Sequence, residues 1–188
     1  MKAYKLFRIR NGKLYPLYVL ATEETVMNEW IPAKSGIMTE DGHVKSKLGK
    51  LAYRPGWHLA DIPFCTHIGK KGPDKKLYQA TDTVWCECEF SDEIDYMPEA
   101  IKAGTNKKTG KVNPARCQLR YIPENGFYRY KTNPNMTGCW IISGAVKVNR
   151  ILSNDEVAEI CRTNGVEPQP LETEMPEKPA KKSRKKAA

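Results

Sequence analysis

Two segments of the chain carry residue types that could do chemistry together. Leu51 to Gly69, LAYRPGWHLADIPFCTHIG, sets His58 beside Trp57, just after a Pro-Gly turn, with Asp61 three residues on. Val84 to Phe90, VWCECEF, carries Glu87 and Glu89. A strand rises about 3.3 Å per residue, so the carboxylates of a Glu-x-Glu stand roughly 7 Å apart on one face. Such a pair can hold a ribose hydroxyl and stabilise a developing cation. A histidine can contact a ligand or orient a hydroxyl. Each also has a plain structural reading. His58 can be a buried, hydrogen-bonded core residue, and the two glutamates can face solvent as partners for lysines.

These residues need a scaffold. Tyr4 to Arg10 sets Tyr4, Leu6, Phe7 and Ile9 against Lys5, Arg8 and Arg10, and Asn11-Gly12 separates it from Leu14 to Leu20. Asn-Gly between two such runs marks a hairpin. Thr22 to Trp30 reads as a short helix, with Thr22 as cap and Glu23 and Glu24 in the first turn. Pro32 to Lys50 reads as loop with room for one short strand. Tyr53 to Ala60 is expected as a strand, and Asp61 to Ile68 as a helical turn with Pro63 near its start. Gly69 to Lys76 is expected as loop. Thr83 to Phe90 is a strand with Val84, Cys86, Cys88 and Phe90 on one face and Trp85, Glu87 and Glu89 on the other.

A short helix is expected within Ser91 to Lys111. Asn125-Gly126 and Asn133-Pro134 punctuate the region beyond it. Strands are expected around Tyr128 and Tyr130, over Trp140 to Ile142 and over Ala145 to Ile151. Ser153 and Glu156 form a capping box for a helix with Val157, Ile160 and Cys161 on its apolar stripe, ended by Asn164-Gly165. The fold class is therefore α+β: a mostly antiparallel, strongly bent sheet with a few short helices. Residues 1–165 are expected as one globular domain. Residues 166–188, rich in Pro and Glu and then Lys, are expected as a disordered basic tail.

Charge narrows the class of partner. The 31 Lys and Arg outnumber the 22 Asp and Glu, for a net charge of +9. Between Lys102 and Lys131 the chain has basic residues and one acid, Glu124. Lys107, Lys108, Lys111, Arg116, Arg120, Arg129 and Lys131 are candidate phosphate contacts, because counterion release draws such patches to nucleic acid. The interleaving in Arg120-Tyr121 and Phe127 to Lys131 could stack bases; alternating tyrosines also suit one packed strand face. A solvated surface with a solubilising tail is the bland alternative.

The six cysteines lack C-x-x-C knuckles, so small core thiols are expected and no metal. No apolar run nears the roughly 20 residues that cross a bilayer. MKAYKLFRIR lacks the apolar stretch of a signal peptide. The expectation is a cytoplasmic protein without a membrane partner. Walker, Rossmann, H-E-x-x-H and G-x-S-x-G motifs are absent.

The order of YKLFRIR, PGWHLADIPFCTHIG, TVWCECEF and ISGAVKVNRILSNDEV resembles the ADP-ribosyltransferase-like superfamily over about residues 4 to 160, with GWHLAD its best part. The serine-rich middle strand of one branch is absent, as is the early histidine of the other, and His58 stands where that second branch has tyrosine. The resemblance implies NAD as cofactor, with Arg8, Trp57 and His58 binding it. It implies Glu89, or Glu87, stabilising an oxocarbenium-like transition state, with His58 at the nicotinamide ribose. The chain also looks like small proteins of gut-bacterial phages and mobile elements. Two alternatives stand beside the enzyme: a non-enzymatic nucleic-acid-associated protein, and an accessory factor that binds a host protein.

Overall fold

The structure is a computed structural model that describes residues 1–132 and 135–177. Asn133-Pro134, expected as a break in the chain's regular structure, and residues 178–188 lie outside the described residues.

β1 (Lys2–Arg10) turns through Asn11 and Gly12, both at positive φ (49° and 74°), into β2 (Lys13–Tyr15). Two successive positive φ values make the tight turn that Asn-Gly favours. β2 is far shorter than expected because Pro16 follows it and offers no N–H to a ladder. Then come β3 (Trp30–Pro32), β4 (His43–Ser46), β5 (Gly49–Ala52), β6 (Trp57–Ala60), β7 (Lys70–Lys71) and β8 (Leu77–Tyr78). β9 (Thr83–Phe90) and β10 (Ile94–Asp95) precede α1 (Met97–Gly104). β11 (Gly126–Tyr130), β12 (Trp140–Ser143), β13 (Ala145–Ile151) and α2 (Asn154–Thr163) complete the set.

The main sheet runs β10-β11-β12-β6-β1-β9-β13-β3, with β2 also on β1. Every pairing in it is antiparallel except β10 with β11. β9 and β11 are four strand steps apart, about 19 Å in a flat sheet. Yet the rings of Phe90 and Phe127, one on each, lie 5.3 Å apart. The sheet is therefore strongly curled. Its concave side encloses Phe7, Leu59, Cys86, Cys88, Ile141 and Val148. Its convex side is covered by α2, through Val157 and Cys161, and by α1, through Ala100.

Several expectations are corrected. Thr22 to Trp30 is not a helix. Thr25 N–H donates to Leu14 O and Asn28 N–H to Val148 O, so sheet edges claim its backbone. Glu23 and Glu24 pair with Lys34 and Lys13 instead of capping a turn. Asp61 to Ile68 is not helical either. Asp61 accepts from Cys139 N–H at 3.0 Å and so is drawn to the approach to β12. Pro32 to Lys50 holds the β4 hairpin strand and the start of β5, and Gly69 to Lys76 holds β7.

The disordered tail expected from residue 166 is corrected as far as 175. Val166 is buried. Gln79 N–H donates to Pro170 O and Glu172 N–H to Gln79 O, while Gln169 Nε2 donates to Ile68 O. Backbone pairing, which composition does not reveal, holds this strap where a core could not. Among the described residues no helix is long and apolar enough to cross a membrane.

Candidate functional site

A cleft of about 470 Å³ opens where the sheet splits. β6 pairs with β1 only at Ala60↔Tyr4, and β2 pairs with β1 only from Arg8 onward. Between these points one edge of β1 lacks a strand partner. The split follows from local sequence: Pro16 ends β2, and Pro55-Gly56 turns the chain into β6. Gly56 has φ +116°, and a Cβ there would overlap Ile142 Cγ2, so only glycine fits.

Tyr4, Lys5 and Leu6 from β1 and Trp57 and His58 from β6 line the cleft. Trp85, Tyr130 and Trp140 line it too, as do Tyr18 and the β4–β5 hairpin. Trp57 Nε1 donates to Ile31 O at 2.8 Å, pinning β6 to β3 across the curl. The Lys5 ammonium donates to His58 O at 2.9 Å, filling the place of the missing ladder bond. It lies 5.5 Å from the Phe7 ring centroid and 5.4 Å from that of Trp57. Burial lowers the Lys5 pKa to about 8. Burial, then the Lys5 and Arg54 charges, lower that of His58 to about 4, so the imidazole is neutral near pH 7. His58 Nδ1 sits 3.2 Å from Gly56 O. With Nδ1–H donating there, Nε2 is an acceptor, and it has no partner among the described residues.

The structure does not bring the expected catalytic set together. Glu89 lies opposite Lys2 and Arg8 opposite Thr83, six residues along β9, or about 20 Å. Neither lines the cleft, and neither does Glu87. Arg8 pairs with Asp82. Glu89 accepts from Asn149 Nδ2 at 2.9 Å. Glu87 lies 2.7 Å from Lys2 Nζ and 3.3 Å from Arg150, which hold its carboxyl below the usual range. Trp57 and His58 do face the cleft, whereas Glu87, Glu89 and Arg8 belong to ion pairs and hydrogen bonds beyond it. Among the described residues the only carboxylates in the cleft wall, Glu23 and Glu24, are held by Lys34 and Lys13.

The basic candidates fall into two groups. Lys107, Lys108, Lys111, Arg116 and Arg120 are exposed around the loop after α1. Arg129 and Lys131 are half-buried on and just after β11, with Arg129 over the Phe127 ring and Lys131 donating to Met136 O. None of the seven has an ion-pair partner among the described residues. Tyr128 and Tyr130 are buried, so the alternation there is a packed face and not a base-stacking platform.

Sequence reasoning missed Lys5 and Arg54. The signal for Lys5 was present: adjacent Leu6 and Phe7 break the alternation, and put Lys5 on the face of Phe7. The thiols of Cys86 and Cys88 are pushed up to about 12 by burial. Among the described residues no group of three or more His, Cys, Asp or Glu gathers as a metal site. No family model, no curated protein and no solved structure matches the chain.

Proposed function

We propose that the chain is a degenerate ADP-ribosyltransferase-like domain that binds a dinucleotide of the NAD class in the β1–β6 cleft without turning it over. The supporting observation is that Trp57 and His58, from the GWHLAD run that carries the resemblance, line a cleft with aromatic walls. Its volume suits a small ligand. The indole and phenol faces can stack flat rings. His58 Nε2 can accept from a ribose hydroxyl or an amide. The carboxylates that would stabilise an oxocarbenium ion are engaged elsewhere, which argues for binding and against transfer.

Calorimetry with NAD and ADP-ribose tests this. Saturable binding is expected, weakened at least tenfold by His58→Ala, with no nicotinamide released on prolonged incubation. Absence of binding to the wild type would retire the reading, and steady nicotinamide release would retire its degenerate half.

A second reading has its own observation. The five exposed cations from Lys107 to Arg120 lack ion-pair partners among the described residues, and Tyr121 beside them is 73% exposed. They could bind phosphates of a nucleic acid. Affinity should then fall steeply with salt. Salt-insensitive binding, or none at low salt with residues after 177 removed, would reject it for the folded region.

A further inference from the structure

Two cations enter the cleft without an anion to match them. Lys5 Nζ has one hydrogen-bond acceptor, the His58 carbonyl, leaving two of its three protons uncommitted. Arg54 donates through Nε to Gln118 Oε1 at 2.8 Å and through one terminal nitrogen to Tyr130 Oη at 3.3 Å. Its other terminal nitrogen has no partner among the described residues. No carboxylate among those residues pairs with either cation: the two in the cleft wall, Glu23 and Glu24, are taken by Lys34 and Lys13. Both side chains line the same cleft as His58, and their charges favour its neutral ring. Leaving two cations unmatched beside the rings of Phe7, Trp57 and Tyr130 is costly unless a ligand supplies the counter-charge.

From this shared lining we infer that the cleft has an anion subsite, formed by the Lys5 ammonium and the Arg54 guanidinium, which takes a phosphate or carboxylate carried on a flat aromatic ligand. The inference rests on the ligand-binding reading of the cleft and adds the group that orients the ligand. The unpartnered terminal nitrogen of Arg54 can donate to an anion's oxygen, and Lys5 serves as a point charge. Trp57, Trp85 and Trp140 in the wall provide an optical reporter.

Two matched pairs of probes separate the sources of negative charge. AMP and adenosine differ by a phosphate; nicotinate and nicotinamide differ by a carboxylate at neutral pH. Titrations followed by tryptophan emission should show the anionic member of at least one pair binding tenfold or more tightly. The pair that shows it identifies phosphate or carboxylate as the preferred group. Lys5→Met and Arg54→Gln should each shrink that preference toward unity, whereas Lys71→Met, an exposed lysine of β7 outside the cleft, should not. Equal binding of both members in both pairs overturns the subsite while leaving the cleft reading intact. An independent arm uses the wild-type protein alone. Limiting acetic anhydride labels lysines, and inorganic phosphate should protect Lys5 more than chloride of equal ionic strength. Failure of NAD and all four probes to bind defeats the cleft reading; lack of phosphate protection at Lys5 defeats the subsite.

Discussion

The Glu87–Glu89 face of β9 and the β1–β6 cleft contain opposite answers to the same electrostatic problem. On the β9 face Lys2 and Arg150 lie within ion-pair distance of Glu87, and Arg150 passes on to Glu156 at 2.5 Å. That face is charge-matched, and its cations Lys2 and Arg150 stand out in water, so its pairs contribute little individually. In the cleft, Lys5 and Arg54 are set among rings and meet no carboxylate among the described residues. Acidic residues drew attention because they resemble catalytic groups, but matched charges are finished business for the fold. The unmatched ones leave a requirement for something else to meet.

The comparison can be broken most severely at Gly56. Gly56→Ala puts a Cβ against Ile142 and Ser143 O on a backbone at φ +116°. A loss of about 3 kcal/mol or more is expected in urea unfolding, as strain and overpacking add. An unaffected midpoint would mean that the split between β1 and β6 does not depend on this turn.

Titration should sharpen the contrast next. Between about pH 4 and 6.5 the unfolded chain protonates His58 while the folded one does not, so stability should rise with pH across that window. Between about pH 8 and 10.5 the same holds for Lys5, contributing a second rise that is opposed above about pH 9 by the Cys86 and Cys88 thiols, whose pKa is raised on folding. Both groups are partly reached by solvent, so each rise should be roughly 2 kcal/mol rather than the full value of its shift. The share of each group is the difference between wild type and variant, His58→Gln for the first window and Lys5→Met for the second. Profiles of both variants parallel to the wild type over these windows would show that the cleft does not desolvate these groups.

Removal of residues 168–188 breaks the strap and its bonds to Gln79 and Ile68. A cost of about 1–2 kcal/mol is expected relative to a chain ending at 177, because backbone groups of β8's exit are left to water. Equal melting temperatures for the two truncations would show the strap to be dispensable. The smallest effects belong to the β9 face. Glu87→Gln and Glu89→Gln should each change stability by less than about 1 kcal/mol. Neither should alter ligand affinity at the cleft; a tenfold loss on Glu89→Gln would restore the carboxylate to the site.

What the sequence made legible is local. The residues of β9, the Asn11-Gly12 turn and the Ser153–Glu156 capping box carry their instructions within a few positions, and each is found as expected. Thr22 to Trp30 and Asp61 to Ile68 misled because their decisive partners are remote. Leu14 O and Val148 O claim one segment, and Cys139 N–H claims a side chain of the other. The strap from 168 misled because its bonds, backbone and side-chain alike, reach the remote segment from Ile68 to Thr81, which composition does not reveal. Of the candidate site, Trp57 and His58 were visible as residue types beside a Pro-Gly turn. Lys5 was not singled out because a lysine in an alternating strand normally faces solvent; only the Leu6-Phe7 doublet marks its inward face.

The buried thiols also form a set of internal clocks. Cys86 and Cys88 sit within the curl, Cys161 on the inward face of α2 and Cys117 beside α1, each almost fully shielded from water. A disulfide-exchange reagent can reach each one only when its own layer parts, so the order of labelling under native conditions reads out the order of opening. If the curl is the last part to yield, Cys86 and Cys88 should react at the rate of global unfolding while Cys117 and Cys161 react earlier. The chain thus reports its own hierarchy of stability with no probe added.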